Sequence, residues 1–241
     1  MNYYKDRVCL NVLAGSHQNA EECYAAADRQ AVIGVLSSNY ATVEEAVRDM
    51  KSYGERTEGN ISVGLGGGNP MQWKAVADIS RALSASHFNQ VFSAVGYTRA
   101  CVIDPNAHIN ALVSPSGTPG LVKISTGPLS QHAPDAVIPV ETAIAMVKEM
   151  GGNALKLFPI HGLQCREELL AVAKACAKEH FILEPTGGIR LENFEELMRL
   201  LLDTGVPKII PHVYSSIIDP ATNQTRVDDV KELSRIIHRL L

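Results

Sequence analysis

The sequence predicts an α/β protein, a single (β/α)8 TIM barrel spanning residues 1–241. Three observations predict it. Eight short runs of β-branched and apolar residues recur at intervals of about 25–32 residues, the length of one strand plus a returning helix. Most of these runs are apolar throughout rather than alternating, as parallel strands covered on both faces require. The segments between them carry helix caps and amphipathic periodicity. A doubly wound open sheet fits the same alternation and is the runner-up, although the chain has no GxGxxG turn after its first strand.

The first run starts at Val8 (VCLNVLA) and the second at Val32 (VIGVLS). Thr42-Val-Glu-Glu45 then has capping-box spacing, so a helix starts there. The third run starts at Ile61 (ISVGLG), and Asn69-Pro70 supplies a cap and a first-turn proline for MQWKAVADISRAL. The fourth starts at Val91 (VFSAVG) and the fifth at Val122 (VKIST). Between these two, INALVSPSGTPGLVKIST reads as a hairpin-like insertion turning at Ser-Gly-Thr-Pro-Gly. Pro139 and Glu141 open the helix VETAIAMVKEM, and Gly151-Gly152 can end it by adopting positive φ. The last three runs start at Ala154 (ALKLF), Phe181 (FILEP) and Lys208 (KIIPHVY), and RVDDVKELSRIIHRLL closes the chain as an amphipathic helix. No linker, low-complexity segment or convincing internal repeat divides the chain.

Composition removes several function classes. The net charge of −4 and the lack of a Lys/Arg run leave no electrostatic case for nucleic acid. No apolar run reaches membrane-spanning length, and the start MNYYKDRVCLNVLAG lacks the plan of a signal peptide. The five cysteines are scattered without CxxC spacing and read as reduced thiols. The eight histidines show no HxH or HExxH pairing, so no metal site is supported. We expect a soluble, cytoplasmic protein without membrane or nucleic-acid partners, and without metal or cofactor.

In a barrel the chemistry sits at the C-terminal ends of the strands and in the loops that follow. Those loops here are rich in Gly, Ser and Thr, as in Gly66-Gly67-Gly68-Asn69 and Pro185-Thr186-Gly187-Gly188, and their amides and hydroxyls suit anions. Lys156, inside ALKLFP, stands out. A lysine there either snorkels to the rim or pairs with a carboxylate, or it is desolvated into a reactive amine. Lys123, in LVKISTG, has a similar setting and a similar case. Glu184, in FILEPTGG, shares a face with Thr186 if the strand is regular, and it can be an ion-pair partner, a proton shuttle, or both. His17, His161 and His212 are strand-end histidines, able to donate protons but more often structural hydrogen-bonders.

NALKLFP followed by EPTGGIR resembles the two signature strands of class I 2-keto-3-deoxy-6-phosphogluconate aldolases. The whole chain most resembles their DgaF-type branch, the KDGP aldolases, also known as 4-hydroxy-2-oxoglutarate aldolases. The resemblance implies a carbon–carbon lyase of carbohydrate metabolism, with Lys156 as the Schiff-base lysine. It further implies that Thr186, Gly187 and Gly188 hold substrate and phosphate; for a barrel, Ser215 and Ser216 after the last strand join them. The substrate would be a phosphosugar acid, cleaved to pyruvate and glyceraldehyde 3-phosphate, and we expect a homo-oligomer. The better-known branch carries a catalytic glutamate on an early strand, whereas the early strands here end in Leu13-Ala14-Gly15 and Leu36-Ser37-Ser38. Glu184 is therefore the expected shuttle. VKISTG also resembles the lysine strand of deoxyribose-phosphate aldolases, which sets Lys123 against Lys156. A phosphosugar-binding barrel without catalysis is the alternative from another class.

Overall fold

The computed structural model describes residues 1–241. In chain order its first half comprises β1 (Leu10–Leu13), α1 (His17–Ala26), β2 (Ala31–Leu36), α2 (Val43–Arg56), β3 (Ile61–Gly64), α3 (Trp73–Ser80), β4 (His87–Val91) and α4 (Val95–Cys101). There follow β5 (His108–Pro115), β6 (Leu121–Lys123), β7 (Val137–Pro139), α5 (Val140–Glu149), β8 (Ala154–Leu157), α6 (Arg166–Lys178), β9 (Ile182–Pro185) and α7 (Leu191–Asp203). A short β10–β11 ribbon (Ile218–Asp219 and Gln224–Thr225) precedes α8 (Val227–Leu240). No helix is long and apolar enough to cross a membrane.

β1, β2, β3, β4, β5, β8 and β9 pair in that order, all in parallel, as a curled sheet. The register aligns Ser62 with His87, Asn89 with Asn110, Leu112 with Lys156, and Lys156 with Glu184. Residues 208–213 bond to both outer strands. Cys9 donates to the Ile209 carbonyl (3.1 Å) and Val213 to Asn11 (3.0 Å), while Ile210 donates to Leu183 (2.9 Å) and His212 to Pro185 (3.0 Å).

The caps lie where the residue types place them. The Thr42 hydroxyl accepts from the Glu45 amide at 3.2 Å, and the Asn69 side-chain oxygen accepts from the Met71 amide at 3.0 Å. Gly151 takes φ +76° just past α5, a conformation costly for other residues.

Two strand positions differ from expectation. The fourth strand is His87–Val91, and VFSAVG only begins on it before turning into α4. Its residues His87, Asn89 and Gln90 are polar, so the apolar pattern passed over it. The fifth parallel strand is β5, the first arm of the expected hairpin. The hairpin therefore extends β5, and is no insertion between the fourth and fifth strands. β6, expected as the fifth strand, runs antiparallel to β5 (Ser114 opposite Lys123) and to β7 (Val122 opposite Ile138).

The two faces of the sheet are chemically different. Leu10, Val12, Ile33, Ile61, Val63, Ile109, Ala111, Leu155, Leu157 and Leu183 join the helices in the main apolar core. On the other face, Cys9, Val32, Ala154, Ile182 and Ile210 form a small apolar layer. Two residues past Cys9, Ala154, Ile182 and Ile210 that face becomes polar, at Asn11, Lys156, Glu184 and His212, and Ser62, His87, Asn89 and Asn110 are buried polar residues of the strands between. Period-two alternation thus sends Lys156 into this polar interior while its apolar neighbours Leu155 and Leu157 pack against helices.

Candidate active site

The buried polar residues form one hydrogen-bonded array. Lys156 Nζ donates to Asn89 Oδ1 at 2.9 Å, and Asn110 Nδ2 donates to the same oxygen at 2.8 Å and to Glu184 Oε2 at 2.6 Å. Glu184 also lies 2.9 Å from His87 Nε2 through Oε1 and 2.8 Å from His212 Nε2 through Oε2. Ser62 Oγ sits behind them, 2.7 Å from His87 Nδ1, accepting from Asn11 (3.1 Å) and Asn89 (3.0 Å). The Tyr214 hydroxyl completes the array, 2.9 Å from Asn11 Oδ1 and 3.0 Å from His212 Nδ1.

These surroundings set the charges. Burial pushes the Lys156 pKa down to about 8, against the Glu184 charge, which raises it. Burial would raise the Glu184 carboxyl, but His87 and His212 outweigh that and hold it well below the usual carboxylate range. Burial, and then the Lys156 charge, push His212 down to about 3, so its ring is neutral. Burial and the Glu184 charge both raise the Tyr214 phenol, which keeps its proton.

Above the array a pocket opens at the C-terminal ends of the strands. Lys156, Thr186, Tyr214, Phe158, Asn110 and Gln90 line it, with the loop Gly64–Gly68. Gly66, Gly67 and Gly68 all have positive φ (+78°, +58° and +74°), and none of their amides bonds to the protein. A Cβ at Gly66 would stand 2.3 Å from Ser38 Oγ, so glycine is required for this close turn.

Of the residues singled out by sequence, Lys156 and Thr186 share this pocket. Glu184 lies below it, fully buried, with both oxygens bonded, and not at the mouth where the FILEPTGG pattern put it. Lys123 is elsewhere: it projects from the antiparallel side sheet, half-buried, with Asp135 at 3.4 Å. Gly187 and Gly188 have positive φ, and a Cβ on Gly188 would lie 2.4 Å from the Gly162 amide nitrogen. These glycines are needed for packing the turn against residues 158–162. Gly188, Ser215 and Ser216 line a neighbouring hollow at the start of α7, and Ser216 Oγ donates to the Ile189 carbonyl at 2.8 Å. His17 is half-buried at the start of α1, with Asp49 at 2.9 Å, and His161 is an exposed turn residue with φ +50°. Asn11, Ser62, His87, Asn89, Asn110 and Tyr214 escaped the sequence reading. Their only signal was a polar residue at alternate positions of otherwise buried strands, as in HFNQV and HINALV.

An amine and a carboxylate, buried together beneath a pocket at the strand ends, define an enzyme of the α/β class. Solved structures agree on the fold. A mutant tryptophan synthase α-subunit of the hyperthermophile Pyrococcus furiosus superposes with a TM-score of 0.56 at 13% identity, over 98% of this chain and 97% of that one. The carboxyl transferase domain of Rhizobium etli pyruvate carboxylase with pyruvate gives 0.54 at 9% identity, over 98% of this chain, which spans only 47% of that one. The sequence comparisons are more specific. The KDGP aldolase family matches residues 4–221. A 2-dehydro-3-deoxy-phosphogluconate aldolase of Salmonella typhimurium (strain 14028s / SGSC 2262) is 44% identical, covering 100% of this chain and 99% of its own length. The chain belongs to the KDGP aldolase family and is a carbon–carbon lyase.

Proposed function

We propose that this aldolase reversibly cleaves 2-keto-3-deoxy-6-phosphogluconate to pyruvate and glyceraldehyde 3-phosphate through a Schiff base on Lys156. The observation that carries the reading is an amine in the pocket whose burial brings its pKa to about 8, so that a usable fraction is neutral near pH 7. The free Nζ attacks the C2 ketone, and loss of water leaves a protonated imine. As the C3–C4 bond breaks, its electrons flow into the imine to form an enamine, and the C4 hydroxyl loses its proton to become the aldehyde. Protonation at C3 and hydrolysis release pyruvate and restore the amine.

The anionic ends of the substrate have complementary places. The Gly66–Gly68 loop lines the pocket and its unpaired amides suit the carboxylate, while the hollow by Gly188, Ser215 and Ser216 suits the phosphate. On the same reading residues 208–213 serve as an eighth strand that closes the sheet into a barrel, since they bond to both β1 and β9. Lys123 has no comparable claim, because it is paired with Asp135 and lies off the pocket. The name of the Salmonella relative supports the substrate. Borohydride reduction in the presence of pyruvate, followed by peptide mapping, tests the chemistry and the residue together. We expect a three-carbon adduct on the Lys156 peptide; an adduct on the Lys123 peptide would transfer the role.

A further inference from the structure

We propose that Tyr214 is the catalytic acid–base of this lyase, passing its hydroxyl proton to and from the buried His212–Glu184 pair. The inference deepens the Schiff-base reading and rests on it. Cleavage takes one proton from the C4 hydroxyl and later returns one to C3, so a group in the pocket must hold it between the two events. Lys156 is occupied as the imine. Glu184 does not line the pocket, and its oxygens are bonded to His87, His212 and Asn110.

Two hydroxyls line the pocket, those of Thr186 and Tyr214. Thr186 Oγ1 has only the Glu184 backbone carbonyl, at 3.4 Å, and a carbonyl of that kind does not take up a proton. The Tyr214 hydroxyl lies 3.0 Å from His212 Nδ1 and 2.9 Å from Asn11 Oδ1, and its hydrogen can rotate between the two. His212 Nε2 is 2.8 Å from Glu184 Oε2; the carboxylate there accepts, so Nε2 carries the ring hydrogen and Nδ1 is left bare toward the phenol. Hydroxyl, imidazole and carboxylate therefore stand in line, the order that activates a hydroxyl in acyl-transfer enzymes. His87 fixes the other carboxylate oxygen at 2.9 Å. Gly34 leaves space for the phenol, since a Cβ there would be 3.3 Å from the Tyr214 oxygen and 2.8 Å from a Leu13 methyl.

The protons balance. In cleavage the C4 O–H bond breaks and its proton goes to the Tyr214 oxygen, whose own proton moves to His212 Nδ1. The C3–C4 electrons become the enamine, and the C4–O bond becomes the aldehyde carbonyl. The imidazolium formed at His212 lies against the Glu184 carboxylate, which compensates its charge. In the return step His212 gives its proton to Tyr214 as Tyr214 protonates C3. The enamine electrons form the new C–H bond and the imine is restored.

The test compares wild type and Tyr214→Phe in two assays, borohydride trapping of pyruvate and exchange of the pyruvate methyl protons with deuterated water. We expect Tyr214→Phe to trap pyruvate on Lys156 while methyl exchange and cleavage fall about 10²–10⁴-fold. Trapping with undiminished exchange in Tyr214→Phe would overturn this inference alone. Failure of wild type to trap pyruvate would overturn the Schiff-base reading, and this inference with it. If Tyr214→Phe loses trapping through misfolding, 3-fluorotyrosine at position 214 decides, since it keeps the shape and hydroxyl while acidifying the phenol. His212 and Asn11, which bond the hydroxyl, and Glu184 behind His212 are unchanged in that protein. Its exchange rate at neutral pH should differ from that of wild type, because a more acidic phenol gives up its proton more readily and takes it back less readily, and an unchanged rate would refute the assignment.

Discussion

Replacing Lys156 with methionine should make the protein more stable at neutral pH while removing its ability to trap pyruvate. The folded chain carries an ammonium that burial disfavours, with its pKa lowered from 10.5 to about 8. That difference corresponds to about 3 kcal/mol of stability forgone at pH 7, at 1.36 kcal/mol per unit. Methionine removes the charge at similar volume. It strands no partner either, because Asn89 Oδ1 keeps the Asn110 amide at 2.8 Å. The sign follows from proton counting: between pH 8 and 10.5 the unfolded lysine binds more protons than the folded one, so wild-type stability rises with pH across that window. The advantage of Lys156→Met should therefore be largest below pH 8 and shrink to about 1 kcal/mol or less at pH 10. Urea unfolding of both proteins by circular dichroism at pH 7 and pH 10 measures it, since other titrating groups cancel in the comparison. A variant less stable than wild type at pH 7, or an equal gain at both pH values, would refute the desolvation argument.

Glu184→Gln should still trap pyruvate, and because the Glu184 charge raises the Lys156 pKa, the pH at which trapping rises should move lower. Its amide would face a histidine N–H or Asn110 without an acceptor, costing about 1–3 kcal/mol in urea unfolding. Gly188→Val should lower the melting temperature and impair phosphorylated and unphosphorylated substrates alike, because its Cβ meets the backbone of His161 and Gly162. A loss confined to the phosphorylated substrate would show that Gly188 acts through the phosphate and not through packing of the turn. Lys123→Met should trap pyruvate at the wild-type rate in the same mass assay, and a lost adduct would revive the rival lysine. On the Schiff-base proposal an imine would supply the electrophile, so turnover should survive exhaustive chelation, and restoration of lost activity by a divalent ion would argue against the class I reading.

Several features were decided along the chain. Recurring apolar runs, the Thr42 and Asn69 caps and the glycine stop at Gly151 specify strands and helices through contacts a few residues apart, and local pattern reads such contacts. Lys156 was visible for the same reason, as a charge inside ALKLFP. The fourth strand was misplaced because HFNQV buries its polar residues in a hydrogen-bonded interior, and the sequence does not record where their partners are. VKIST looked like a barrel strand because three apolar or β-branched residues read alike in an antiparallel side sheet.

What only the tertiary structure decided is the arrangement across strands. Glu184 meets His87 from 97 residues away, Lys156 meets Asn89 from 67 away, and Tyr214 meets Asn11 from 203 away. Those pairings depend on sheet register and curl, which set whether a side chain faces the pocket or lies beneath it. A carboxylate two residues before Thr186 shares its face by strand periodicity alone. That Glu184 lies a layer deeper, with its oxygens already bonded, depends on neighbouring strands contributing a histidine and an asparagine at the same height. The sequence by itself therefore determined most of the elements and singled out Lys156, with Lys123 as its rival, because both follow from local pattern. The partners of that lysine, and the phenol that shares its pocket, come from contacts distant in sequence that exist only once the sheet has curled.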